Sequence, residues 1–247
     1  MVLSRKIKEH VQEYYRTLFE RGQVAPAHLP VRSGKRLAVE LGYPPSLLDL
    51  LPEHCWQLFA PCGNPLPYLT PKPGDWILNL GCGIGIDSLA VALEYRDSVH
   101  VVGIDVVVNI IHKAYTLMCS INLLRSSFYW VCGDGECLPF RRHCFDAVLM
   151  NGVFNLFPEK SGLLRGLHHV LKPEGALLLA DLCRVGPLPD YFEAEWDAWA
   201  WCMNGACSAE ELVTEFAAAG FNRVEIYTEE SGEMFNRIVL SCRRSSA

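Results

Sequence analysis

A strand-turn-helix segment at Trp76–Asp87 constrains the fold of this chain more than any other feature of its sequence. The segment begins with five mostly apolar residues, and Gly81, Gly83 and Gly85 follow at alternate positions. Glycine tolerates positive φ and lets a backbone approach a ligand closely. The spacing therefore predicts a tight turn into a helix whose free N–H groups face a ligand.

Further apolar runs extend this unit into a sheet. They alternate with segments of helical length and pattern, and two more strands follow late in the chain. Such alternation predicts a doubly wound α/β fold with a mostly parallel, seven-stranded sheet. The predicted strands are 76–80, 99–104, 127–131, 145–150, 176–182, 223–228 and 236–242.

The residues before the sheet are predicted to form a cap. Apolar side chains recur at helical spacing over 5–21, and frequent proline and glycine between Gly22 and Pro73 allow only short helices, such as one near Ser46–Leu51. The predicted division is an N-terminal helix and irregular cap at 1–72 and a main domain at 73–247, with a helical insertion at about 187–219.

Two helices are expected in that insertion. Tyr191–Trp201 and Ser208–Ala219 both have helical spacing, and the second is preceded by a capping box formed by Ser208 and Glu211. The N-terminal helix is amphipathic and marginal by itself, so we expect it to dock on the main domain as a lid.

Charge and composition exclude several kinds of partner. The formal net charge is -6 and the basic residues are scattered, so a nucleic-acid partner is not expected. The amino terminus has no apolar leader, and the apolar runs are far shorter than the roughly 20 residues that cross a bilayer. We therefore expect a cytoplasmic protein without a membrane partner, and the sequence leaves the oligomeric state open.

Eleven cysteines occur, an odd number without the repeated spacing of a disulfide framework. Most are expected to be reduced and buried. Cys132, Cys137 and Cys144 with His143 do not have the spacing of common zinc sites, so no metal site is predicted.

Asp105 adds evidence for a nucleoside ligand. It follows Gly85 by 20 residues at the end of the next predicted strand, where a carboxylate can accept hydrogen bonds from ribose hydroxyls. A dinucleotide fingerprint, G-x-G-x-x-G, would have its third glycine at position 86, which is Ile86 here. The chain has the pattern G-x-G-x-G instead. This pattern favours S-adenosylmethionine over NAD, although a nucleotide oxidoreductase remains an alternative.

Over about residues 60–242 the chain resembles the class I methyltransferases. The matching elements are the glycine turn, Gly103–Asp105, Gly133–Phe140, Phe145–Asn151 and His169–Ala176. The resemblance implies that Asp134 and Gly135 lie at the adenine and that Asn151 lies beside the methionine part of the cofactor. It also assigns Asn79 to the cofactor site, where the family commonly has an acidic residue.

A narrower resemblance, to the arsenite methyltransferases, runs along nearly the whole chain. It is carried by Val11–Tyr15, Cys62–Pro65, Lys72–Gly74, Asn151–Lys160 and Cys202–Ala206. It implies that Tyr15 lies near the cofactor and that Cys202 belongs to the set of thiolates that bind arsenic. Gly152 replaces another cysteine of that set, and the family's cysteines beyond the first helix are missing from residues 20–50. Cys62 is a further candidate wall of the acceptor pocket.

The resulting prediction is an S-adenosylmethionine-dependent methyltransferase of a small acceptor with a soft nucleophile of the thiol, selenium or arsenic(III) type. Such acceptors need no strong base, and no catalytic residue is assigned. Because the thiolate set is incomplete, arsenite itself is not the favoured substrate. The alternatives are an oxygen, nitrogen or carbon acceptor in a small metabolite, or a non-catalytic protein that binds S-adenosylmethionine.

Overall fold

The computed structural model describes residues 2–21, 32–95, 98–121 and 127–246. The strands are β1 (Trp76–Leu80), β2 (His100–Asp105), β3 (Phe128–Cys132), β4 (Phe145–Asn151), β5 (Leu171–Arg184), β6 (Phe221–Glu230) and β7 (Phe235–Arg244). The α-helices in these ranges are α1 (Val2–Arg21), α2 (Gly34–Glu40), α3 (Pro45–Leu50), α4 (Glu53–Trp56), α5 (Ile86–Tyr95), α6 (Val108–Ser120), α7 (Lys160–Val170), α8 (Tyr191–Ala194), α9 (Asp197–Ala200) and α10 (Ala209–Ala218).

One seven-stranded sheet organises the molecule, in the order β3-β2-β1-β4-β5-β7-β6. The first five strands are parallel, and β7 runs antiparallel to both β5 and β6. The predicted doubly wound, mostly parallel, seven-stranded sheet is confirmed. Strand β5 is longer than the predicted 176–182, because it begins at Leu171, which pairs with Phe145 of β4, and its pairing with β7 continues to Arg184.

Helices cover both faces of the sheet, as burial of its central strands requires. On one face, Leu78 of β1 and Val148 of β4 pack with α7 and α10. On the other face, α5 and α6 pack with the cap helices, and Phe19 of α1 and Trp56 of α4 join that cluster. The N-terminal helix is thus part of the packed structure.

The region before the sheet contains short helices, as predicted. Helix α3 matches the helix expected near Ser46–Leu51, and α1 begins at Val2 instead of residue 5. The part of the predicted cap at 22–31 lies outside the described residues.

The prediction of one helix over Tyr191–Trp201 is wrong. The segment forms two short helices, α8 and α9. The chain becomes extended at Glu195, with ψ of 90°. The side-chain amide of Asn204 donates to the carbonyls of Phe192 and Glu195 at 2.7 and 3.0 Å, which satisfies acceptors that a continuous helix would have used internally. The capping box of Ser208 and Glu211 at the start of α10 is confirmed.

Within the described residues, no helix combines the length and the apolar character needed to cross a membrane.

Candidate active site

A cavity of about 490 Å³ opens at the carboxyl ends of β1, β2 and β4. The strand order reverses direction between β1 and β4, and ligands of open α/β sheets bind at such a switch point. The predicted site residues that line this cavity are Tyr15, Gly81, Gly83, Asp105, Asp134, Gly135, Asn151 and Gly152. The structure therefore gathers most of the predicted cofactor residues around one space.

The three glycines of the turn all have positive φ, but for different steric reasons. A Cβ on Gly81 would lie 2.6 Å from Val153, and one on Gly85 would lie 2.4 Å from the Trp130 ring. A Cβ on Gly83 would meet no atom within 4 Å and would project into open space at the cavity wall. Gly81 and Gly85 let the turn pack, whereas Gly83 leaves room for a ligand beside the backbone.

Asp105 ends β2 and holds the turn in place. Its Oδ2 accepts a hydrogen bond from the Gly83 N–H at 3.1 Å, and its Oδ1 accepts one from the Val107 N–H at 3.0 Å. Burial raises the pKa of Asp105, and these backbone hydrogen bonds oppose that shift. Each carboxylate oxygen keeps a further lone pair, so the group can also accept from ligand hydroxyls.

Asp134 lies at the opposite wall, at the start of the turn that contains Gly135. Its Oδ1 accepts from the Glu136 N–H at 3.0 Å, and its Oδ2 is 2.5 Å from the Lys8 ammonium of α1. Lys8 also pairs with Glu136. The N-terminal helix is thereby tied to the loop that the sequence assigns to the adenine.

Asn79 does not line the cavity. It is buried, and its amide donates to the Ser88 hydroxyl at 2.9 Å, which joins β1 to α5. Gly85 also lies behind the cavity wall, against Trp130. Both residues pack on the side of the glycine turn that faces away from the cavity, and they hold the turn in position.

Asn151, at the end of β4, connects three parts of the molecule. Its Oδ1 accepts from the Cys62 N–H at 2.9 Å. Its Nδ2 donates to the Tyr43 hydroxyl, the Gly63 carbonyl and Asp87 Oδ2 at 2.9, 3.1 and 3.2 Å. One amide therefore fixes the cap segment around Cys62 to the helix that follows the glycine turn.

Asp87 is a cavity residue that sequence reasoning missed. It is 6% exposed in the first turn of α5, and its Oδ1 accepts from the Tyr43 hydroxyl at 2.6 Å. Burial raises the pKa of Asp87 to about 6, against hydrogen bonds from Tyr43 and Asn151 that lower it. A buried carboxylate facing a cavity can bind a cationic ligand group. Its position directly after the glycine turn is the sequence feature from which Asp87 could have been predicted.

Helix α1 covers the cavity. Lys8, Val11 and Tyr15 are among its lining residues. The Tyr15 hydroxyl donates to the Ala200 carbonyl at 2.7 Å, and the Trp201 indole N–H donates to the Tyr14 hydroxyl at 2.8 Å. The helix is thus joined to the segment that carries Cys202.

Two thiols and a carboxylate meet beneath that segment. The sulfurs of Cys62 and Cys202 and a carboxylate oxygen of Asp181 all lie within 4.8 Å of one another. The three residues are 8%, 3% and 2% exposed, respectively. The resemblance to the arsenite methyltransferases assigned Cys202 alone to the set of arsenic-binding thiolates. The structure places Cys62 beside it.

Asp181 was also missed, although it directly follows Ala180, the last residue of β5 that pairs with β4. Its carboxylate accepts from the side chain and N–H of Asn155 and from the Leu182 N–H, at 2.8 to 3.1 Å. Burial raises the pKa of Asp181 to about 6, which these hydrogen bonds oppose. The pKa of the Cys202 thiol is raised well above its usual value, mainly by a hydrogen bond with Cys62 and next by burial. Cys202 itself has a φ of +63°.

Gly152 lies between the cavity and the thiols. Its φ is +65°, and a Cβ built on it would lie 3.4 Å from the Cys62 sulfur. A side chain at this position would therefore enter the space next to the thiol pair.

The group of Cys132, Cys137 and Cys144 with His143 does not form a cluster of ligand atoms in the described residues. Cys132 and Cys137 are exposed.

Comparison with known proteins agrees with this geometry. A family model described as a methyltransferase domain matches residues 71–220, more than half of the chain. The chain belongs to this family. It is a class I, S-adenosylmethionine-dependent methyltransferase close to the arsenite methyltransferases. The open space beside Gly83 and the free acceptor capacity of Asp105 fit that cofactor.

Two of its relatives are arsenite methyltransferases. The protein from Halobacterium salinarum is 30% identical over 70% of this methyltransferase and 44% of its own length, and the Homo sapiens protein is 25% identical over 98% and 66%. This chain thus spans about half to two thirds of these relatives. Phosphoethanolamine N-methyltransferase 1 of Arabidopsis thaliana is 32% identical over 48% of the chain and 23% of its own length.

A solved arsenic(III) S-adenosylmethionine methyltransferase from Chlamydomonas reinhardtii has the same fold. The TM-score is 0.62 at 20% identity, with coverage of 90% of this chain and 74% of that one.

Replacing Asp105 by alanine is expected to weaken S-adenosylmethionine binding by about 1–3 kcal/mol, since ribose hydroxyls would lose a charged acceptor in a partly dry site. Titration calorimetry measures the change. Asp105→Asn is the control for the turn, because it keeps an acceptor for a backbone N–H. Unchanged affinity in the alanine variant would remove Asp105 from the cofactor site.

Replacing Asp87 by asparagine is expected to stabilise the ligand-free protein at pH 7 by about 1–3 kcal/mol. The folded-state pKa of about 6 lies above the ordinary 3.8, so burying the ionised group costs stability that is fully felt above pH 6. The advantage of the variant should shrink as the pH falls from 7 to 4, because the folded-state carboxyl takes up its proton near pH 6 and the unfolded-state carboxyl only near pH 3.8. Denaturant unfolding at the two pH values tests this, with Asp49→Asn on exposed α3 as the control. An advantage of equal size at both pH values would contradict the argument.

Proposed function

We propose that this methyltransferase methylates a small acceptor whose soft atom is held by Cys62 and Cys202, and that trivalent arsenic carrying one organic substituent fits best. The observation that carries the proposal is the pair of buried thiols next to the cofactor cavity. Thiolates are the ligands preferred by soft, thiophilic centres. The arsenite methyltransferases among the relatives support the same choice.

The number of thiols favours a substituted acceptor over arsenite. Trivalent arsenic bound only to hydroxyl groups has three exchangeable ligands, whereas one that carries a carbon substituent has two. Each thiol that bonds to arsenic gives its proton to the departing hydroxide, so water leaves and no separate base is needed. Cys62 and Cys202 supply two such bonds, and Gly152 offers no third thiol.

S-adenosylmethionine would supply a methyl group bonded to a sulfonium sulfur. In-line attack of the acceptor lone pair on the methyl carbon would break that C–S bond, so that S-adenosylhomocysteine leaves as a neutral thioether and the positive charge passes to the methylated atom. The residues of the chain align the partners for this step, which is where most of the acceleration of such a transfer arises. Asn151 fixes the backbone of Cys62 relative to the cofactor cavity. Gly83, Asp105, Asp134 and Asn151 are proposed to hold the cofactor. Tyr15 of α1 and Trp201 line the cavity and are proposed to exclude water.

Asp87 is proposed to face the ammonium of the methionine part of the cofactor. Its carboxylate lines the cavity on the same side as Asn151, to which it is hydrogen-bonded. Asp181 has a separate task at the thiol pair. Its carboxylate, with a pKa of about 6, can accept a hydrogen bond from a thiol while the acceptor site is empty.

Truncation tests the proposed lid. Deleting residues 1–20 removes the helix that covers the cavity, and the truncated protein is expected to fold but to bind the cofactor much more weakly. Thermal unfolding with and without S-adenosylhomocysteine measures this effect. Tyr15→Ala, which keeps the helix, should have a smaller effect in the same direction. A ligand-induced shift as large as that of the full chain would show that α1 is not a lid.

Substitution at position 152 tests the acceptor. The wild type should methylate a methyl-substituted trivalent arsenical at least about tenfold faster than arsenite, and Gly152→Cys should raise the arsenite rate by adding a third thiol next to Cys62. Gly152→Ser is the matched control, because it imposes the same backbone strain without a thiol. Cys62→Ser and Cys202→Ser should each abolish transfer.

Two results would contradict this assignment. One is turnover of arsenite by the wild type at about 1 per second or faster, a rate typical of enzymes. The other is a rise in the arsenite rate of Gly152→Ser equal to that of Gly152→Cys, because the thiol would then have no role.

A further inference from the structure

A second cavity, of about 330 Å³, lies beside the thiol pair. It shares Ala60, Pro61 and Trp201 with the cofactor cavity, so these residues separate the two spaces. Cys62 lines the second cavity and not the first. A group bonded to an atom on the Cys62 sulfur therefore has room in a space other than the cofactor cavity.

The walls of this cavity are mostly apolar. They include Leu182, Met203, Met234 and Phe235, together with the Trp201 ring. These side chains belong to the same hydrophobic cluster as Cys62 and Cys202. An apolar ligand group that enters the cavity would be removed from water, which is favourable in proportion to its area.

Charged groups at the cavity do not select a charged ligand. Arg32 pairs with Glu230 at 2.5 Å, and Arg237 lies 3.3 Å from the same carboxylate. Arg237 also donates to the Pro61 carbonyl at 2.9 Å. With Glu233, the described lining residues contain two cationic and two anionic side chains, whose charges cancel.

The volume exceeds what a small inorganic acceptor requires. One water occupies about 30 Å³ of liquid, so the cavity has room for several times the bulk of a hydroxyl or methyl group. A ring or a short alkyl chain fills such a space better than a methyl group, because more of its apolar area leaves water against the apolar side chains of the wall.

We infer that the second cavity binds the organic substituent of the acceptor, an uncharged alkyl or aryl group larger than methyl, while Cys62 and Cys202 hold the soft atom. This inference rests on the proposed function. The cofactor and the substituent then occupy separate spaces that meet at Ala60, Pro61 and Trp201, so the substituent does not compete with the cofactor for room. Met234, a half-buried residue of the cavity wall, controls the size of group that is accepted.

The experiment compares binding of methyl- and phenyl-substituted trivalent arsenic oxides, followed by the fluorescence of the tryptophans, which include Trp201 at the cavity wall. Both affinities are measured in competition with dithiothreitol, so that the intrinsic preference of arsenic for thiols cancels. The wild type should favour the phenyl compound over the methyl compound by about tenfold or more, which corresponds to about 1.4 kcal/mol.

Met234→Trp fills the cavity and should remove this preference while leaving the affinity for the methyl compound within about threefold. Val213→Trp, which adds similar bulk at an exposed position of α10, is the matched control and should keep the preference. The thermal shift with S-adenosylhomocysteine should be unchanged in both variants, which verifies their folding.

The possible failures separate the two proposals. If the wild type shows no preference, or if Met234→Trp weakens both compounds equally, the inference about the second cavity is overturned while binding that depends on Cys62 still supports the proposed function. If both compounds bind Cys62→Ser as tightly as the wild type, the proposed acceptor site fails, and the inference fails with it.

Discussion

The hydrogen bonds of the Asn151 amide hold the two halves of the active site in register. A single side chain at the end of β4 binds the backbone of Cys62 and Gly63, the hydroxyl of Tyr43 and the carboxylate of Asp87. These groups come from the cap and from the helix that follows the glycine turn. The position of the acceptor thiol relative to the cofactor cavity therefore depends on one half-buried amide, whose Nδ2 and Oδ1 both have partners within the protein. Such an amide is held firmly, because moving it would break several hydrogen bonds at once.

Two buried carboxylates lower the stability of the folded protein but give the site groups that can bind ligands. Asp87 and Asp181 both have pKa values raised to about 6 by burial, so at neutral pH each carries a charge that the folded protein stabilises poorly. Their hydrogen bonds offset only part of the cost. One carboxylate faces the cofactor cavity and the other faces the thiols, the two places where a partly positive ligand would arrive. Strongly perturbed carboxylates at such positions are typical of functional sites.

The sequence predicted those parts of the molecule that depend on local rules. Positive φ at Gly81, Gly83 and Gly85 is a property of single residues, and the sheet follows from apolar runs of strand length. Asp105 was found because it ends the strand that follows the glycine turn, 20 residues after Gly85 along the chain. The pairing of Cys62 with Cys202 could not be derived in this way, since the two thiols come from distant segments that only the tertiary fold brings together. The break in the helix predicted over Tyr191–Trp201 had the same origin, because the Asn204 amide acts from outside that segment.

The left-handed backbone of Cys202 has a consequence for how this protein could change over time. At a φ of +63° a cysteine carries strain of about 1–2 kcal/mol that glycine would not have. In a descendant of this chain released from acceptor binding, glycine at this position would relieve the strain but would lose the contacts of the buried side chain. The strain therefore lowers the barrier to replacing the thiol, and selection for acceptor binding opposes that replacement. The backbone angle at Cys202 makes this one position a sensitive record of whether a lineage still uses its acceptor site.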